Sequence, residues 1–310
     1  MIAMGGNSLS PKRETGSVEQ QFSLTRKTMD GISHFINRNY NICITHGNGP
    51  QVGNELLRME LTNNSVPRLP LGICVASTQG SIGYMIQQTL QNKLRDMDID
   101  REIVTLVSQV IVNKKDYAFS NPEKFIGPRY SETESKTLSE DFGWIIKKQE
   151  DGVWRRVVPS PMPEYIMHGK SIKALVDRGT IVIASGGGGI PVFNDDFGHL
   201  EGLDAVIDKD YVAAKLGRII RAKELWIITD VNHVSRSFNT DLEERIEFLT
   251  TNEAQTLYDK DYFQKGSIGP KIRAAIHFLK YHGERVIITS IACIPDALNG
   301  HAGTEIRNEA

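Results

Sequence analysis

The segment Ile42-Cys43-Ile44-Thr45-His46-Gly47-Asn48-Gly49 joins an apolar run to a glycine-rich turn, and a helical pattern follows at residues 53–61. The run does not alternate between apolar and polar residues, which is typical of a strand that is buried on both faces. Such strands belong mainly to parallel sheets that are covered by helices. The segment therefore indicates an α/β fold that binds its ligands at the carboxyl ends of the strands.

The same order of apolar run, turn and helical pattern recurs along the chain. Besides a first strand that begins almost at Met1, apolar runs lie at 103–112, 181–184, 225–228 and 286–289. Helical patterns are predicted at 18–37, 53–61, 80–96, 171–178, 210–221, 251–259 and 270–281. We expect an open αβα sandwich around a mainly parallel central sheet.

Residues 113–163, which we call the cap, interrupt this rhythm, because they are rich in Lys, Glu, Ser and Pro. Within the cap, residues 144–146 and 153–158 are able to form a small hairpin. A surface loop is the simpler interpretation, but about 50 residues is too long for a structureless loop in a compact domain. We therefore predict a small subdomain that protrudes from the main sheet.

The bulk composition excludes several classes of function. The 310 residues carry a formal net charge of -2, so no global basic field attracts nucleic acid or an anionic membrane. No run approaches the roughly 18 apolar residues of a membrane span, and the amino terminus does not resemble a signal peptide. The isolated cysteines Cys43, Cys74 and Cys293 show no metal-binding spacing and favour a reducing, cytoplasmic compartment.

Glycine turns follow three of the apolar runs, at Gly5-Gly6-Asn7, at Gly47-Asn48-Gly49 and at residues 185–189. Glycine lets backbone N–H groups approach an anion closely, because no Cβ stands in the way. A helix that follows such a turn presents its positive end to the same anion. A single turn of this kind is more often a tight connection without a ligand, whereas three at strand ends favour a site for an anionic ligand.

These turns lack the signatures of two large nucleotide-binding classes. The chain contains no GxxxxGK[ST] motif and no GxGxxG motif with an acidic residue at the required distance. A P-loop kinase and a nicotinamide-dependent oxidoreductase are therefore not supported. His46 precedes the second turn and invites the role of a general base. A general base would be needed only if the group that attacks in the reaction had to lose a proton. A carboxylate-like acceptor is already ionised, so a positioned polar residue is the better interpretation of His46.

Lys209 and Lys271 carry the argument for phosphoryl transfer. Lys209 stands between Asp208 and Asp210, and Lys271 follows the turn Gly269-Pro270. Phosphoryl transfer spreads negative charge over oxygen atoms, and its catalysis consists mostly of positioning and cationic stabilisation. As isolated residues, both lysines would be interpreted as solvated surface groups. The charged frame and the turn favour a catalytic pair, which either Asp208 or Asp210 is able to hold together.

An ordered set of segments resembles the carbamate kinases, a branch of the amino-acid kinase superfamily, over almost the whole chain. The segments are Met4-Gly5-Gly6-Asn7, 45–53, 77–84, 121–124, 157–161, 185–191, 205–210, 228–231 and 266–271. Kinases of this superfamily that are specific for amino acids usually carry a lysine where this chain has Met4, and carbamate kinases lack that lysine. The set is therefore specific for one branch.

The resemblance implies a single amino-acid kinase domain over residues 1–310, with the cap inserted in it. Its amino-terminal half, about 1–200, would bind the acceptor, and its carboxyl-terminal half, about 201–310, the nucleotide. The resemblance also implies a cytoplasmic homodimer that uses ATP or ADP with Mg²⁺. The reaction would be reversible, with carbamate and ATP giving carbamoyl phosphate and ADP, and it would form ATP in arginine catabolism. The partners would be these small molecules only, without nucleic acid or membrane.

Roles for individual residues follow from the resemblance as well. Lys209 and Lys271 would stabilise the transferred phosphoryl group, and Asp210 would orient them. The acceptor would be bound by Gly5, Gly6, Asn7, Gly47, Asn48, Gly49 and Lys124, the last reaching from the cap. The nucleotide would be bound by Gly186, Gly187, Gly188, Gly189, Asp208, Thr229, Asp230, Phe238 and Ser267. For Lys124 a surface salt bridge is an equal alternative, and for Phe238 core packing is an equal alternative to adenine stacking.

Three departures from the family pattern fall in the cap. Met162 stands where a lysine or arginine is usual, an arginine is missing beside Gly152, and Phe125 replaces a frequent proline. Phosphoryl transfer is therefore better supported than the identity of the acceptor. The alternatives are a kinase of the same superfamily that acts on another small carboxylate-like acceptor and, less well supported, a nucleotide-binding regulator without turnover.

Overall fold

The computed structural model describes residues 1–6, 9, 16–62, 64–149, 151–236, 243–263 and 268–309. The strands in these ranges are β1 (Ile2–Met4), β2 (Cys43–His46), β3 (Ile103–Leu106), β4 (Gln109–Val112), β5 (Lys124–Tyr130), β6 (Ile146–Lys148), β7 (Trp154–Val158), β8 (Pro163–Ile166), β9 (Ile181–Ala184), β10 (Ile190–Asn194), β11 (Leu200–Gly202), β12 (Glu224–Thr229), β13 (Val234–Arg236), β14 (Glu244–Ile246), β15 (Phe248–Thr250), β16 (Arg285–Ser290) and β17 (Thr304–Arg307). The helices are α1 (Val18–Asn37), α2 (Gly49–Thr62), α3 (Leu71–Asp96), α4 (Glu132–Phe142), α5 (Gly169–Asp177), α6 (Lys209–Ile219), α7 (Thr251–Asp259), α8 (Ile268–Leu279) and α9 (Ile294–Leu298). None of the helices in the described ranges has both the length and the apolar character needed to cross a membrane.

The central sheet has eight strands in the order β15-β17-β16-β12-β1-β2-β9-β3. Within these described strands, every neighbouring pair is parallel except β16 and β17. Alternate strand residues pack into two cores on opposite faces of the sheet. On β12, Leu225 and Ile227 pack with α5 to α8, whereas Trp226 and Ile228 pack with α1, α3 and α9. The predicted αβα sandwich with a mainly parallel sheet is therefore confirmed.

The apolar run 103–112, predicted as one strand, is two strands in two different sheets. β3 pairs with β9 at the edge of the central sheet, whereas β4 pairs with β10 and β8 in a four-stranded sheet. At the break, the N–H group of Ser108 donates to Oε1 of Gln79 (2.8 Å), and Nε2 of Gln79 donates to the Ser108 carbonyl (3.1 Å). A side chain of α3 thus satisfies the backbone between the strands, which the apolar pattern does not reveal.

The helix predictions differ in accuracy according to the signals at the helix ends. The predicted ranges 18–37 and 251–259 coincide with α1 and α7, which both begin with a capping box. In contrast, α2 begins at Gly49 rather than at residue 53, and α3 begins at Leu71 rather than at residue 80. The mostly polar helix α4 is absent from the prediction, although Ser131 and Glu134 form a capping box there as well.

Most of the cap consists of a three-stranded antiparallel sheet, in the order β5-β7-β6, and of helix α4. The hairpin predicted within residues 144–158 is present as β6 and β7. One face of this sheet packs on α2 and α3 through Ile126 and Val158. The closest approach lies between α2 and β5, because a Cβ atom on Gly53 would lie 1.9 Å from Cα of Gly127. Only two glycines allow this contact, so the cap rests directly on the backbone of α2.

Candidate active site

Four neighbouring strands of the central sheet, β12, β1, β2 and β9, end beside one another, and the three predicted glycine turns follow β1, β2 and β9. The N–H group of Gly5 donates to the Ile228 carbonyl, and that of Gly47 donates to the Met4 carbonyl, each at 2.9 Å. A Cβ atom on Gly47 would lie 2.8 Å from the backbone nitrogen of Gly6. The first two glycine turns are therefore in contact, and a side chain at position 47 would separate them.

The third turn packs against the second. Its backbone is left-handed at Ser185, Gly187, Gly188 and Gly189, with φ angles of 54°, 65°, 90° and 83°. A Cβ atom on Gly186 would lie 2.2 Å from Nε2 of His46, and one on Gly187 would lie 2.2 Å from Nδ2 of Asn48. Close packing within the protein therefore requires these glycines. Their predicted contact with the phosphates of a nucleotide stays a prediction.

His46 lies beneath these turns as a neutral imidazole. Its side chain is 1% exposed, and Nδ1 lies 3.2 Å from the carbonyl oxygen of Gly47. Burial lowers the pKa of His46 to about 4; the contact with Gly47 opposes this shift, and the charge of Lys209 adds to it. A neutral, fully enclosed ring favours the interpretation of His46 as a positioned polar residue.

Asp210 holds the two predicted catalytic lysines together. Nζ of Lys209 lies 2.5 Å from Oδ1 of Asp210, and Nζ of Lys271 lies 3.2 Å from Oδ2. The side chain of Asp210 is 4% exposed, and those of the lysines are 12% and 14% exposed. These charges are removed from water but paired, as buried charges must be. Of the two predicted carboxylates, Asp210 is thus the one that contacts both lysines.

Asp208 links the same cluster to the cap. Its Oδ1 atom accepts hydrogen bonds from the N–H groups of Asp210 (2.9 Å) and Tyr211 (3.4 Å), which caps helix α6. Its Oδ2 atom accepts a hydrogen bond from Nζ of Lys124 at 2.6 Å. Lys124 therefore reaches from the cap into the cluster, and the contact that it makes there is an ion pair.

The pKa shifts show how burial and ion pairing compete in this cluster. Burial alone would raise the pKa values of both carboxyl groups, but Lys124 lowers that of Asp208 and the two catalytic lysines lower that of Asp210. Burial lowers the pKa of Lys209, although Asp210 opposes it. Burial would also lower the pKa of Lys271, but Asp210 and then Asp208 raise it above the usual value. The site thus combines ionised carboxylates with closely held cations.

Comparison with known proteins identifies the family to which this chain belongs. The model of the Amino acid kinase family matches residues 1–290. This chain belongs to that family. A carbamate kinase of Pyrococcus furiosus is 44% identical to this amino acid kinase over 308 residues, which are 99% of this chain and 98% of the relative. The predicted carbamate kinase branch is confirmed at this level of similarity.

Solved structures of carbamate kinases match this amino acid kinase closely. Carbamate kinase from Giardia lamblia bound to citric acid has a TM-score of 0.94 and 36% identity, covering 99% of this chain and 97% of that one. The same enzyme bound to AMP-PNP has a TM-score of 0.89 and 36% identity, covering 99% and 98% of the two chains. The fold of the present chain is therefore that of the carbamate kinases over its full length.

The remaining predicted residues of this amino acid kinase fall into two groups. Thr229 ends β12, and its Oγ1 atom donates to Oδ1 of Asp230 at 3.1 Å. Burial is the largest influence on the pKa of Lys271 and lowers it, whereas Asp210 and Asp208 raise it. Asp230 is close enough to Lys271 to add a smaller contribution to this rise. Asn7, Phe238 and Ser267 lie outside the described residues, so their roles stay predictions.

Sequence reasoning missed two contacts that position this kinase site. Asn48 donates from Nδ2 to Oγ1 of Thr78 at 2.9 Å, which anchors the second turn to helix α3. The contact of Gly53 with Gly127 holds β5, and hence Lys124, against α2. The only sequence signal for it is Gly53 itself, at the end of the run that follows the second turn. Gly127 lies 74 residues later in the chain, and no local pattern connects the two.

Proposed function

We propose that this protein transfers a phosphoryl group between ATP and carbamate, with ADP and carbamoyl phosphate on the other side of the reaction. One observation carries the proposal, namely that Lys209 and Lys271 meet on Asp210 beside the glycine turns. The carbamate kinases that the chain resembles over 99% of its length support the choice of acceptor. The predicted activity is thus the one that site and relatives both favour.

Lys209, Lys271, Lys124, Asp208 and Asp210 form what we call the lysine cluster. It suits a reaction that is catalysed by electrostatic stabilisation of negative charge rather than through a covalent intermediate. An oxygen atom of carbamate attacks the γ-phosphorus of ATP, and the bond from that phosphorus to the oxygen of ADP breaks. Negative charge spreads over the transferred group, and Lys209 and Lys271 stabilise it. Because Asp210 already fixes both ammonium groups, they need little reorganisation during the reaction. The attacking oxygen is ionised, so no general base is required and His46 remains neutral.

Lys124 supplies the cation on the acceptor side. An ammonium group has three donor hydrogens, so Lys124 can keep its bond to Asp208 and donate to an acceptor oxygen as well. The acceptor would lie at the turns that contain Gly5, Gly6, Gly47 and Asn48. The cap, through Lys124, would then cover the acceptor and help to exclude water.

The nucleotide would lie along the third glycine turn and the end of β12, where Thr229 and Asp230 are found. A relative bound to AMP-PNP supports the use of a nucleotide. Among residues whose positions are described, no group of three or more His, Cys, Asp or Glu side chains comes together as a metal cage. Mg²⁺ is commonly held by substrate phosphates with one or two carboxylates, and Asp230 would supply a carboxylate at this edge. When bound, Mg²⁺ would neutralise phosphate charge.

Several finer predictions belong to the same proposal. We infer an acceptor-binding half at about 1–200 and a nucleotide-binding half at about 201–310, with the cap at 113–163. We further infer a homodimer, a cytoplasmic location and net formation of ATP in arginine catabolism. These inferences rest on the resemblance and on the absence of any basic or membrane-spanning signal in the sequence.

The proposal is tested by supplying ADP, Mg²⁺ and carbamoyl phosphate and by measuring ATP formation. We expect ATP to form with carbamoyl phosphate and not with acetyl phosphate. If ATP formed with acetyl phosphate and not with carbamoyl phosphate, the protein would be a kinase of another carboxylate-like acceptor. Tight binding of ATP without turnover on either donor would instead support the regulatory alternative.

A further inference from the structure

A crevice of about 460 Å³ lies between the cap and the segment that joins α2 to α3. Of the described residues that line it, none belongs to the lysine cluster or to the glycine turns. Its volume falls within the range of roughly 300–1,000 Å³ that is usual for small-molecule sites. Apolar side chains form much of its wall, among them Leu56, Leu69, Leu71, Phe119, Trp144 and Ile145.

One pair of charges beside the crevice is satisfied within the protein. Arg68 forms an ion pair with the buried carboxylate of Glu60, at 2.6 Å. Oε1 of Glu60 also accepts a hydrogen bond from the indole N–H group of Trp144, at 3.4 Å. Both contacts are to the same carboxylate oxygen, and Glu60 does not form an ion pair with the second arginine of the crevice, Arg156.

Arg156 is a partly buried cation without a matching anion. Its guanidinium group stacks over the ring of Trp144 at 4.2 Å. Its Nη1 atom is buried and has no hydrogen-bond partner within the described part of the chain. Burial lowers the pKa of Arg156 to about 10, and the nearby Glu60 opposes this shift only in part. A buried N–H donor that lacks a partner is costly, and an anionic ligand would satisfy it.

Asp204 provides the complementary charge at the exposed rim of the crevice. Its Oδ1 atom accepts a hydrogen bond from the N–H group of Leu71, at 2.8 Å, where α3 begins. Across the ranges that the structure describes, no cation forms an ion pair with Asp204. Its charge acts on Arg156, although the two are not in contact. Among the described residues, the crevice therefore holds a cation and an anion that form no ion pair with each other or with a third group.

We propose that this crevice binds a free α-amino acid with an apolar side chain. The carboxylate of the ligand accepts hydrogen bonds from Arg156, for which the planar guanidinium group is well suited. Its ammonium group bonds to Asp204, and its side chain packs among Leu69, Phe119 and Ile145. A zwitterion is favoured over a simple anion, because it satisfies both unpaired charges and leaves the net charge unchanged.

Occupation of the crevice would also reach the candidate active site. Arg156 lies on β7 opposite Ile126 of β5, and Val158 lies opposite Lys124. A ligand held by Arg156 would therefore stabilise the strand pair that presents Lys124 to Asp208. We expect the KM of the acceptor to change on binding, while kcat changes less. This part of the inference rests on the proposed function, whereas binding itself does not.

Binding is tested with the full chain, without nucleotide, by isothermal titration calorimetry and by ligand-observed NMR. The probes are L-leucine, isocaproate, which keeps only the carboxylate, and isoamylamine, which keeps only the amine. We expect L-leucine to bind most tightly and isoamylamine most weakly. Absence of L-leucine binding up to about 10 mM, well above the millimolar dissociation constants of weak small ligands, would overturn the proposal.

Two variants assign the charges of the ligand. Arg156→Met keeps the apolar stem over Trp144 and should weaken both L-leucine and isocaproate about tenfold or more. Asp204→Asn keeps an acceptor for the Leu71 N–H group and should weaken L-leucine about threefold while leaving isocaproate unchanged. Equal effects of Asp204→Asn on the two probes would overturn the zwitterionic assignment.

Arg129→Met and Asp151→Asn serve as matched controls, because these residues form an exposed ion pair elsewhere in the cap. They should leave L-leucine binding unchanged, and a loss equal to that of Arg156→Met would overturn the assigned site. Circular dichroism checks that each variant is folded. If Arg156→Met does not fold, Asp204→Asn still tests the site. Failure of L-leucine to bind leaves ATP formation intact, so the two proposals fail separately.

Discussion

The lysine cluster and the crevice beneath the cap both contain partly or fully buried charges, yet they differ in how these charges are paired. In the cluster, Asp210 contacts Lys209 and Lys271, and Asp208 contacts Lys124. In the crevice, Arg156 keeps a buried N–H group for which the described residues offer no partner. The cluster is thus organised before any ligand arrives, whereas the crevice is incomplete without one.

This difference suits the two tasks that we assign. A catalytic cluster gains from dipoles and charges that are fixed in advance, because reorganisation during the reaction raises the barrier. A site that responds to a ligand must instead gain an interaction when that ligand binds. Substitutions in the cluster should therefore have large effects without any ligand, and substitutions in the crevice should show theirs mainly when the amino acid is present.

The largest effect is expected from Asp210→Asn. The substitution keeps the volume of the side chain but leaves Lys209 and Lys271 buried without their shared anion. Breaking a buried charge pair in this way costs about 3–5 kcal/mol in the free energy of unfolding, which urea denaturation at pH 7 measures. Asp151→Asn removes an exposed pair and should cost less than about 1 kcal/mol. Similar losses in the two variants would show that the cluster is not organised by Asp210.

Lys271→Ala should lower kcat by about a hundredfold to a thousandfold, because one of the two cations that stabilise the transferred group is lost. The measurement is the initial rate of ATP formation at saturating substrates. The exposed Lys223, which pairs with Glu284, provides the control Lys223→Ala. A wild-type rate in Lys271→Ala would remove this lysine from the mechanism.

His46 makes the stability of the protein depend on pH. Its pKa is about 4 in the folded chain, against about 6.5 when unfolded, so the unfolded state binds the proton first as the pH falls. The free energy of unfolding should therefore fall by about 3 kcal/mol between pH 7 and pH 4 through this group alone. His46→Asn should remove that part of the pH dependence. His301→Asn, at an exposed position, serves as the control, and an equal slope in both variants would contradict a buried neutral His46.

Lys124→Ala should have the smallest effect of these variants. In the proposed mechanism, Lys124 contacts the acceptor rather than the transferred group, so we expect the KM of the acceptor to rise about tenfold with a smaller change in kcat. Steady-state kinetics with varied carbamoyl phosphate measures both constants. Lys136→Ala removes an exposed lysine of the cap that pairs with Glu132 and serves as the control. If kcat alone fell, Lys124 would belong with the catalytic lysines.

Much of the fold could be predicted because its signals are local. Apolar runs mark the strands of the central sheet, and capping boxes mark where α1 and α7 begin. The break at Ser108 escapes this logic, because a glutamine from α3 donates to and accepts from the Ser108 backbone there. Helix α4 escapes it because a mostly polar surface helix lacks the apolar period on which the prediction depends.

The site divides in the same way. Lys209, Asp210 and Lys271 stand in short motifs, which alone leave Asp208 and Asp210 open as the shared carboxylate. The family resemblance favours Asp210, and the coordinates show that Asp210 contacts both lysines. The ion pair of Lys124 with Asp208 joins residues 84 positions apart. No pattern within either segment indicates that pair, because the packing of the whole cap on α2 determines it.

The contact between Gly53 and Gly127 has a consequence for the choice of acceptor. Because a side chain at position 53 would collide with the backbone of Gly127, the contact between the two backbones fixes how closely β5 lies against α2. Substituting nearby residues by smaller ones does not change this contact between the two backbones. A bulkier acceptor would fit only if β5 moved away from α2. The contact would therefore select acceptors by size, without any specific polar contact.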